Sequence, residues 1–252
     1  MKTLIKLENV SKTFFVKKKD KSLKKRLFGI FREKNNLTQK ITALNNINLE
    51  INSGEIWGII GHNGAGKTTL LKLISKIYYP TSGNITCSGR VAALLGYELG
   101  FFQQLSGREN IRLFGSIFNI PPKIIDKKMD EIIDFSGLRE FIDLPIHFYS
   151  TGMSARLSFA AFSMLEPEIL LVDDIYQAGD LDFQTKSMQS IENLISKSST
   201  ALFVSHNLHM IKSHCNKAIL LEHGEIIMAG PAVDVVNHYL LLKGEHLHGT
   251  TY

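Results

Sequence analysis

Cysteine is scarce in this chain, and long apolar runs are missing. The two cysteines, Cys87 and Cys215, stand far apart without metal-ligand spacing, which argues against a disulfide scaffold or a zinc framework and leaves reduced, structurally incidental thiols. No stretch comes near the roughly 18 to 20 consecutive apolar residues of a membrane span. The opening Met1-Lys2-Thr3 begins no apolar signal core, so the chain is expected in the cytosol unless something recruits it. No internal repeat or low-complexity tract is present. What remains is a 252-residue chain with 44% hydrophobic residues, enough for one large α/β domain or two small ones around a sizeable core.

Charge is concentrated rather than spread. Residues 17 to 34 hold nine Lys or Arg against Asp20 and Glu33, a local +7 in a chain whose net charge is +5, so the remainder carries −2. A nucleic-acid-binding body is therefore not expected. Within this basic insertion (17–40), Leu23, Leu27, Ile30 and Phe31 fall on one helical face, with Lys24, Lys25, Arg26 and Arg32 around them. One reading is a short amphipathic helix against anionic lipid or a lipid-linked pyrophosphate, where each cation contributes about 1 kcal/mol. The other is a solvated loop, since Gly29 and the short length weaken a helix.

Against these absences stands one dense motif. Gly61-His62-Asn63-Gly64-Ala65-Gly66-Lys67-Thr68-Thr69 matches G-x-x-x-x-G-K-[ST] at every fixed position, after the strand-like run Ile56 to Ile60 and before the helical pattern Leu70 to Ile74. Glycines without a Cβ let the loop curl and aim backbone N–H groups at phosphate oxygens, and the following helix adds its positive dipole end. Lys67 is placed for the β and γ phosphates and Thr68 for Mg2+. Thr69 reaches toward the α phosphate through its N–H and hydroxyl.

Leu4 to Val10, Ile41 to Ile51 and Glu55 to Ile60 read as strands, giving an antiparallel β layer joined to an α/β core. Arg108 to Ile120, Lys123 to Phe135 and Ala155 to Leu165 have helical spacing, so a mostly helical insertion is expected between about 100 and 165. Ile169 to Asp173 reads as a short buried strand ending in acid, Phe183 to Ser196 as a helix and Thr200 to Ser205 as a strand. Lys217 to Leu221 and Glu225 to Ala229 form a hairpin turned at His223-Gly224, and Val233 to Leu242 a closing helix.

Four further segments follow the phosphate loop in an order that resembles the ATP-binding cassette (ABC) ATPases over nearly the full length, as a single nucleotide-binding domain (1–252). Ser150-Thr151-Gly152-Met153 resembles the family's signature motif, which implies that Ser150, Gly152 and the helix start at Met153 bind the γ phosphate of ATP held by a second subunit, hence a homodimer with two shared sites. Asp173 resembles the Walker B aspartate that holds Mg2+ alongside Thr68. Asp174 stands where the family has the Glu that polarises the attacking water. The side chain is one methylene shorter, and a displacement of about 1 Å can cost ~100-fold in rate. His206 matches the switch histidine, Gly179-Asp180 stands at the D-loop, and Glu98 takes the place of the Q-loop glutamine as a possible further metal-site group. Phe14 aligns with the aromatic that stacks on adenine; a buried strand-end aromatic is the competing reading.

The basic insertion, Leu105-Ser106-Gly107-Arg108-Glu109-Asn110-Ile111, and Tyr149 to Leu157 together resemble the ABC ATPases that export polysaccharides. That resemblance implies ATP and Mg2+ as cofactors, a transmembrane permease as partner, and a peripheral place on the cytoplasmic face of the bacterial inner membrane. The substrate would be a lipid-linked O-antigen, capsule or teichoic-acid chain. The chain is expected to be the short form, without a C-terminal carbohydrate-binding domain. A nucleotide-gated clamp with little hydrolysis stays open because of Asp174. A DNA-repair or ribosomal ABC protein would need a long coiled coil or a tandem cassette, for which the length leaves no room.

Overall fold

The computed structural model describes residues 2–17, 38–95, 101–173 and 181–248. In chain order its elements are β1 (Thr3–Lys17), β2 (Thr38–Asn52), β3 (Ile56–Ile60), α1 (Lys67–Ile74), β4 (Ser82–Cys87), β5 (Val91–Leu94), α2 (Gly107–Ile117), α3 (Pro122–Ser136), α4 (Thr151–Phe162), β6 (Ile169–Val172), α5 (Leu181–Lys197), β7 (Thr200–Val204), α6 (Leu208–His214), β8 (Lys217–Glu222), β9 (Glu225–Pro231) and α7 (Ala232–His248). The strands form two sheets. One is three-stranded and antiparallel, in the order β2-β1-β4; the other is six-stranded, in the order β5-β6-β7-β3-β8-β9, and parallel except for the β8–β9 hairpin.

The larger sheet is covered on both faces, and its strands show why. All residues of β6 and β7 are buried, and the pleat sends alternate ones to opposite sides. Trp57, Ile59, Ile169, Leu171, Leu202, Val204, Ile219 and Leu221 pack toward α1 and the three-stranded sheet. Leu170, Val172, Ala201, Phe203, Ala218 and Leu220 pack on the other side, with α5, α6, α7 and the helical region. Helix α1 is thus held between the two sheets by Leu70, Leu71, Leu73 and Ile74.

The ends of several elements differ from the sequence reading for local reasons. Strand β1 continues past Val10 to Lys17, because register shifts at Leu7/Val10, Val10/Lys12 and Lys12/Thr13 break the period of two without ending the pairing. The insertion is correspondingly shorter than 17–40, since Lys17 still pairs with Thr38 and it spans 18–37, outside the described residues. Helix α2 stops at Ile117, not Ile120, where Asn119 turns left-handed (φ 55°) and the Ile120 N–H bonds the Gly115 carbonyl (2.8 Å). Helix α4 starts at Thr151, earlier than expected, with Ser150 as its N-cap. Strands β4 and β5 and helix α6 went unpredicted.

Both cysteines are free, and burial pushes the Cys215 thiol up to about 12 and the Cys87 thiol upward as well, so neither is a reactive thiolate. Among the described residues no helix is long and apolar enough to cross a membrane.

Two polar clusters fix the frame. At the start of the parallel strands the Glu55 carboxylate accepts from the Asn52 N–H (2.9 Å), Trp57 Nε1 (3.0 Å) and Lys217 Nζ (2.5 Å). Burial pushes this carboxyl up, but the three hydrogen bonds and the Lys217 charge overcome it and hold Glu55 at about 2. In the helical region the fully buried Asn110 accepts from the Phe102 N–H (2.7 Å), and its amide hydrogens are shared among the carbonyls of Phe102 (3.0 Å), Leu105 (3.1 Å) and Ser106 (2.9 Å). Ser106 and Glu109 complete a capping box over the same turn. The Leu105 to Ile111 string is therefore a device that folds residues 102–106 against α2.

Replacing Asn110 with Ala strands these backbone groups and is expected to cost about 2–4 kcal/mol in denaturant-measured stability. Because the Glu55 carboxyl lies below its ordinary value of 4.5, its stabilisation is complete above that pH and is lost as the pH falls toward about 2. The melting-temperature gap between wild type and Glu55→Gln should shrink across that window.

Candidate nucleotide site

Parallel register gathers the motifs at one edge. Ile59 of β3 pairs with Val204 of β7, and Phe203 of β7 with Val172 of β6, so the residues that follow each strand emerge side by side at the carboxyl ends. Those residues are the phosphate loop after Ile60, Asp173 after Val172, and Ser205-His206 after Val204. The Asp173 N–H is anchored to the Leu94 carbonyl of the neighbouring strand (2.9 Å). His206 is exposed; next to it the buried Ser205 accepts the Asn207 N–H (3.1 Å), and Asn207 caps α6.

The loop is curled tightly around its lysine. Lys67 is buried, and its ammonium donates to the carbonyls of Gly61 and His62, each at 2.9 Å. Gly61 (φ 148°) and Gly66 (φ 107°) are both positive-φ residues in crowded places. A Cβ on Gly61 would strike the Leu221 carbonyl, and one on Gly66 would lie 2.5 Å from that of Ala43. The buried Ala65 and the exposed Asn63 and Gly64 complete the turn. The helix's own ladder begins only with the Leu70 N–H on the Gly66 carbonyl (2.9 Å), so the N–H groups of Lys67, Thr68 and Thr69 stand ahead of it. The loop also has a buttress that its sequence did not show: the Gly224 N–H of the β8–β9 turn donates to the Ala65 carbonyl (3.1 Å), and the Asn45 N–H of β2 to that of Gly224 (2.8 Å).

Thr68 Oγ1 donates to Asp173 Oδ2 at 2.6 Å. This hydroxyl and carboxylate are hard oxygen donors of the kind magnesium takes, brought together from elements more than a hundred residues apart. The residues present fit a Mg–nucleotide group: backbone N–H donors and a buried ammonium for phosphate, and an oxygen pair for the ion.

Ser150, Gly152 and Met153 lie elsewhere, at the start of α4, which packs on α2 and α3. Ser150 is exposed and its Oγ accepts the Met153 N–H (3.2 Å). Just before it, the Tyr149 hydroxyl donates to the Phe141 carbonyl (2.7 Å); burial, with Asp143 adding, pushes this phenol up to about 12, so it stays a donor. A Cβ on Gly152 would meet nothing closer than Ser150 Oγ at 3.9 Å, and its φ is not positive. Nothing among the described residues demands glycine there.

Phe14 is half-buried with its ring edge-on to Tyr78 (5.4 Å), and Lys12 Nζ lies 5.2 Å and 5.5 Å from the two ring centres. Lys72 Nζ is 5.5 Å from the Tyr78 ring. Tyr78 and the two lysines were not legible as a group, because β1 and the end of α1 meet only in the folded chain. Asp174, Glu98 and Gly179-Asp180 lie outside the described residues.

Several known proteins resemble this chain in sequence or in fold. The O-antigen export system ATP-binding protein RfbB of Klebsiella pneumoniae is 39% identical over 201 residues, covering 80% of this chain and 82% of that protein. The teichoic acids export ATP-binding protein TagH of Bacillus anthracis is 37% identical over 235 residues, 93% of this chain but 42% of that protein. Among solved structures, a dimeric post-hydrolysis state of the ATP-binding cassette MJ0796 bound to ADP and Pi has a similar fold, with a TM-score of 0.70 at 22% identity over 91% of this chain and 99% of that one. The ABC transporter family matches residues 44–177, and this chain belongs to it.

Proposed function

We propose that the chain is the ATP-hydrolysing subunit of a membrane exporter, bound at the cytoplasmic face to a transmembrane permease whose cargo is a lipid-linked polysaccharide. The observation that carries the ATP-driven part is the division of the site: a complete phosphate cradle at one edge of the sheet, and an exposed Ser150 and unexplained Gly152 on a different part of the fold. A glycine that could carry a Cβ without a clash in its own chain fits a nucleotide brought by a second copy. The cargo class and the permease rest on the kinship with RfbB and TagH, whose names describe O-antigen and teichoic-acid export.

In this reading Lys67 and the N–H groups from Gly61 to Thr69 hold the phosphates, while Thr68 and Asp173 hold Mg2+, which supplies charge neutralisation. Ser150, Gly152 and Met153 close on the γ phosphate from the partner copy. His206 contacts that phosphate and Asp174 orients the attacking water. Phe14, with Tyr78 and Lys12 around it, provides the adenine platform, and Glu98 joins the site to the permease. Hydrolysis then follows closure of the dimer, because half of the phosphate contacts come from the other chain.

The basic segment 17–34 is proposed to lie against the inner leaflet or the pyrophosphate of the lipid-linked glycan. Phe15, Val16 and Ile41, at the base of this segment, are exposed apolar residues beside concentrated positive charge, the combination suited to an anionic lipid surface.

Phosphate release by the intact complex should exceed that of Lys67→Ala; a rate no higher than this control rejects the motor in favour of a nucleotide-gated clamp. Asp174→Glu should raise turnover, by up to about 100-fold if the shorter side chain misplaces the water by about 1 Å; an unchanged or lower rate refutes Asp174 as a handicap. Neutralising Lys24, Lys25 and Arg26 to Ala should reduce export while ATP affinity stays at the wild-type value, and unchanged export in cells rejects the membrane role.

A further inference from the structure

A second cluster of ligating side chains lies on the outer flank of the phosphate loop. His62 follows Gly61, and the β8–β9 turn brings Glu222 and His223 to it. One ligand atom from each of the three falls within 4.8 Å of the other two, and the two imidazole rings are 5.0 Å apart. His62 Nδ1 lies 2.7 Å from the Asn63 carbonyl. A carbonyl only accepts, so Nδ1 carries the hydrogen and Nε2 is the nitrogen left to offer a lone pair. That Nε2 is buried and has no hydrogen-bond partner among the described residues. A buried lone pair without a partner is uncommon and costly. An imidazole whose Nδ1–H is fixed by a backbone carbonyl is also the arrangement that orients a histidine for a metal ion.

We infer that His62, Glu222 and His223 bind Zn(II), with solvent in the fourth position. Two imidazoles and a carboxylate suit this borderline ion rather than magnesium, which prefers all-oxygen shells. Tetrahedral Zn–N bonds of about 2.0–2.1 Å put ligand atoms roughly 3.3 Å apart, so binding the ion would draw the three ligand atoms inward from a present spacing within 4.8 Å. The backbone is already braced there, since the turn and the loop share the hydrogen bond from the Gly224 N–H to the Ala65 carbonyl. Half-buried His62 and Glu222 and exposed His223 leave the site open to solvent for metal entry.

The ion would tie a phosphate-loop residue to the β8–β9 turn, so Zn(II) and nucleotide affinities change together by the same factor. This coupling rests on the ATP reading; the metal site does not.

The test uses the full chain, stripped of metal with EDTA, desalted and nucleotide-free, titrated with ZnCl2 by calorimetry and with Co(II) by absorption spectroscopy. His223→Asn suits the left-handed backbone at that position (φ 46°), and Glu222→Gln keeps the carboxylate's shape. One Zn(II) per chain is expected, with affinity falling at least about tenfold in each variant while both keep the wild-type melting temperature in EDTA. No uptake by wild type, or uptake that both variants retain unchanged, overturns the site and assigns any residual binding to histidines elsewhere. With the site confirmed, Zn(II) should shift wild-type affinity for a fluorescent ATP analogue and leave His223→Asn unmoved; no shift in wild type refutes the coupling. Failure of the analogue to bind with or without zinc refutes the ATP reading while leaving the Zn(II) site standing.

Discussion

The contact from the Thr68 hydroxyl to the Asp173 carboxylate joins the first turn of α1 to the end of β6, and it exists only because β6, β7 and β3 are parallel and adjacent. In an antiparallel arrangement the residues after successive strands would leave at opposite edges. Here Val172, Val204 and Ile60 all finish on the same side, so an oxygen pair, an exposed histidine and a glycine-rich loop meet without any long loop having to carry them. The costs of that arrangement fall at the opposite edge, where Glu55, Trp57 and Lys217 satisfy one another's polar groups among the buried strand starts.

The phosphate loop needs support of its own. It holds an ammonium against the carbonyls of Gly61 and His62 and carries two crowded positive-φ glycines, so its backbone is shaped by neighbours rather than by propensity. Those neighbours are the Ala43 and Leu221 carbonyls and the Gly224 N–H, from β2 and the β8–β9 hairpin. The sequence motif names the residues proposed to hold phosphate and is silent about the ones that hold the loop.

Legibility in the sequence followed the physics of burial. Strands β3, β6 and β7 read as apolar runs because both faces are covered, and the β8–β9 hairpin read from its turn residues. Strand β4 did not, being polar and mostly exposed, and β5 has only four residues. Helix α6 is seven residues long and depends on the Asn207 cap, so no period could form. The phosphate loop, Asp173 and His206 could be grouped as a candidate site because order along the chain sufficed for that. Tyr78 beside Phe14, and His223 beside His62, were not, because only tertiary packing makes them neighbours.

The two parts of the proposed ATP site differ in how the chain constrains them. Gly61 and Gly66 are required by their own surroundings, and any larger residue would collide with backbone of the same chain. Gly152 has no such requirement, and Ser150 already satisfies the first turn of α4 through the Met153 N–H, which a Ser-capped helix does in any protein. A loop that stays curled in the isolated chain can hold nucleotide before a partner arrives. The exposed helix start at Ser150 is proposed to add its donors when a second copy presents phosphate to it. In the proposed reading that asymmetry would make binding a property of one chain and turnover a property of two, which is the division of labour a subunit needs if closure, rather than capture of the nucleotide, is to drive a membrane partner.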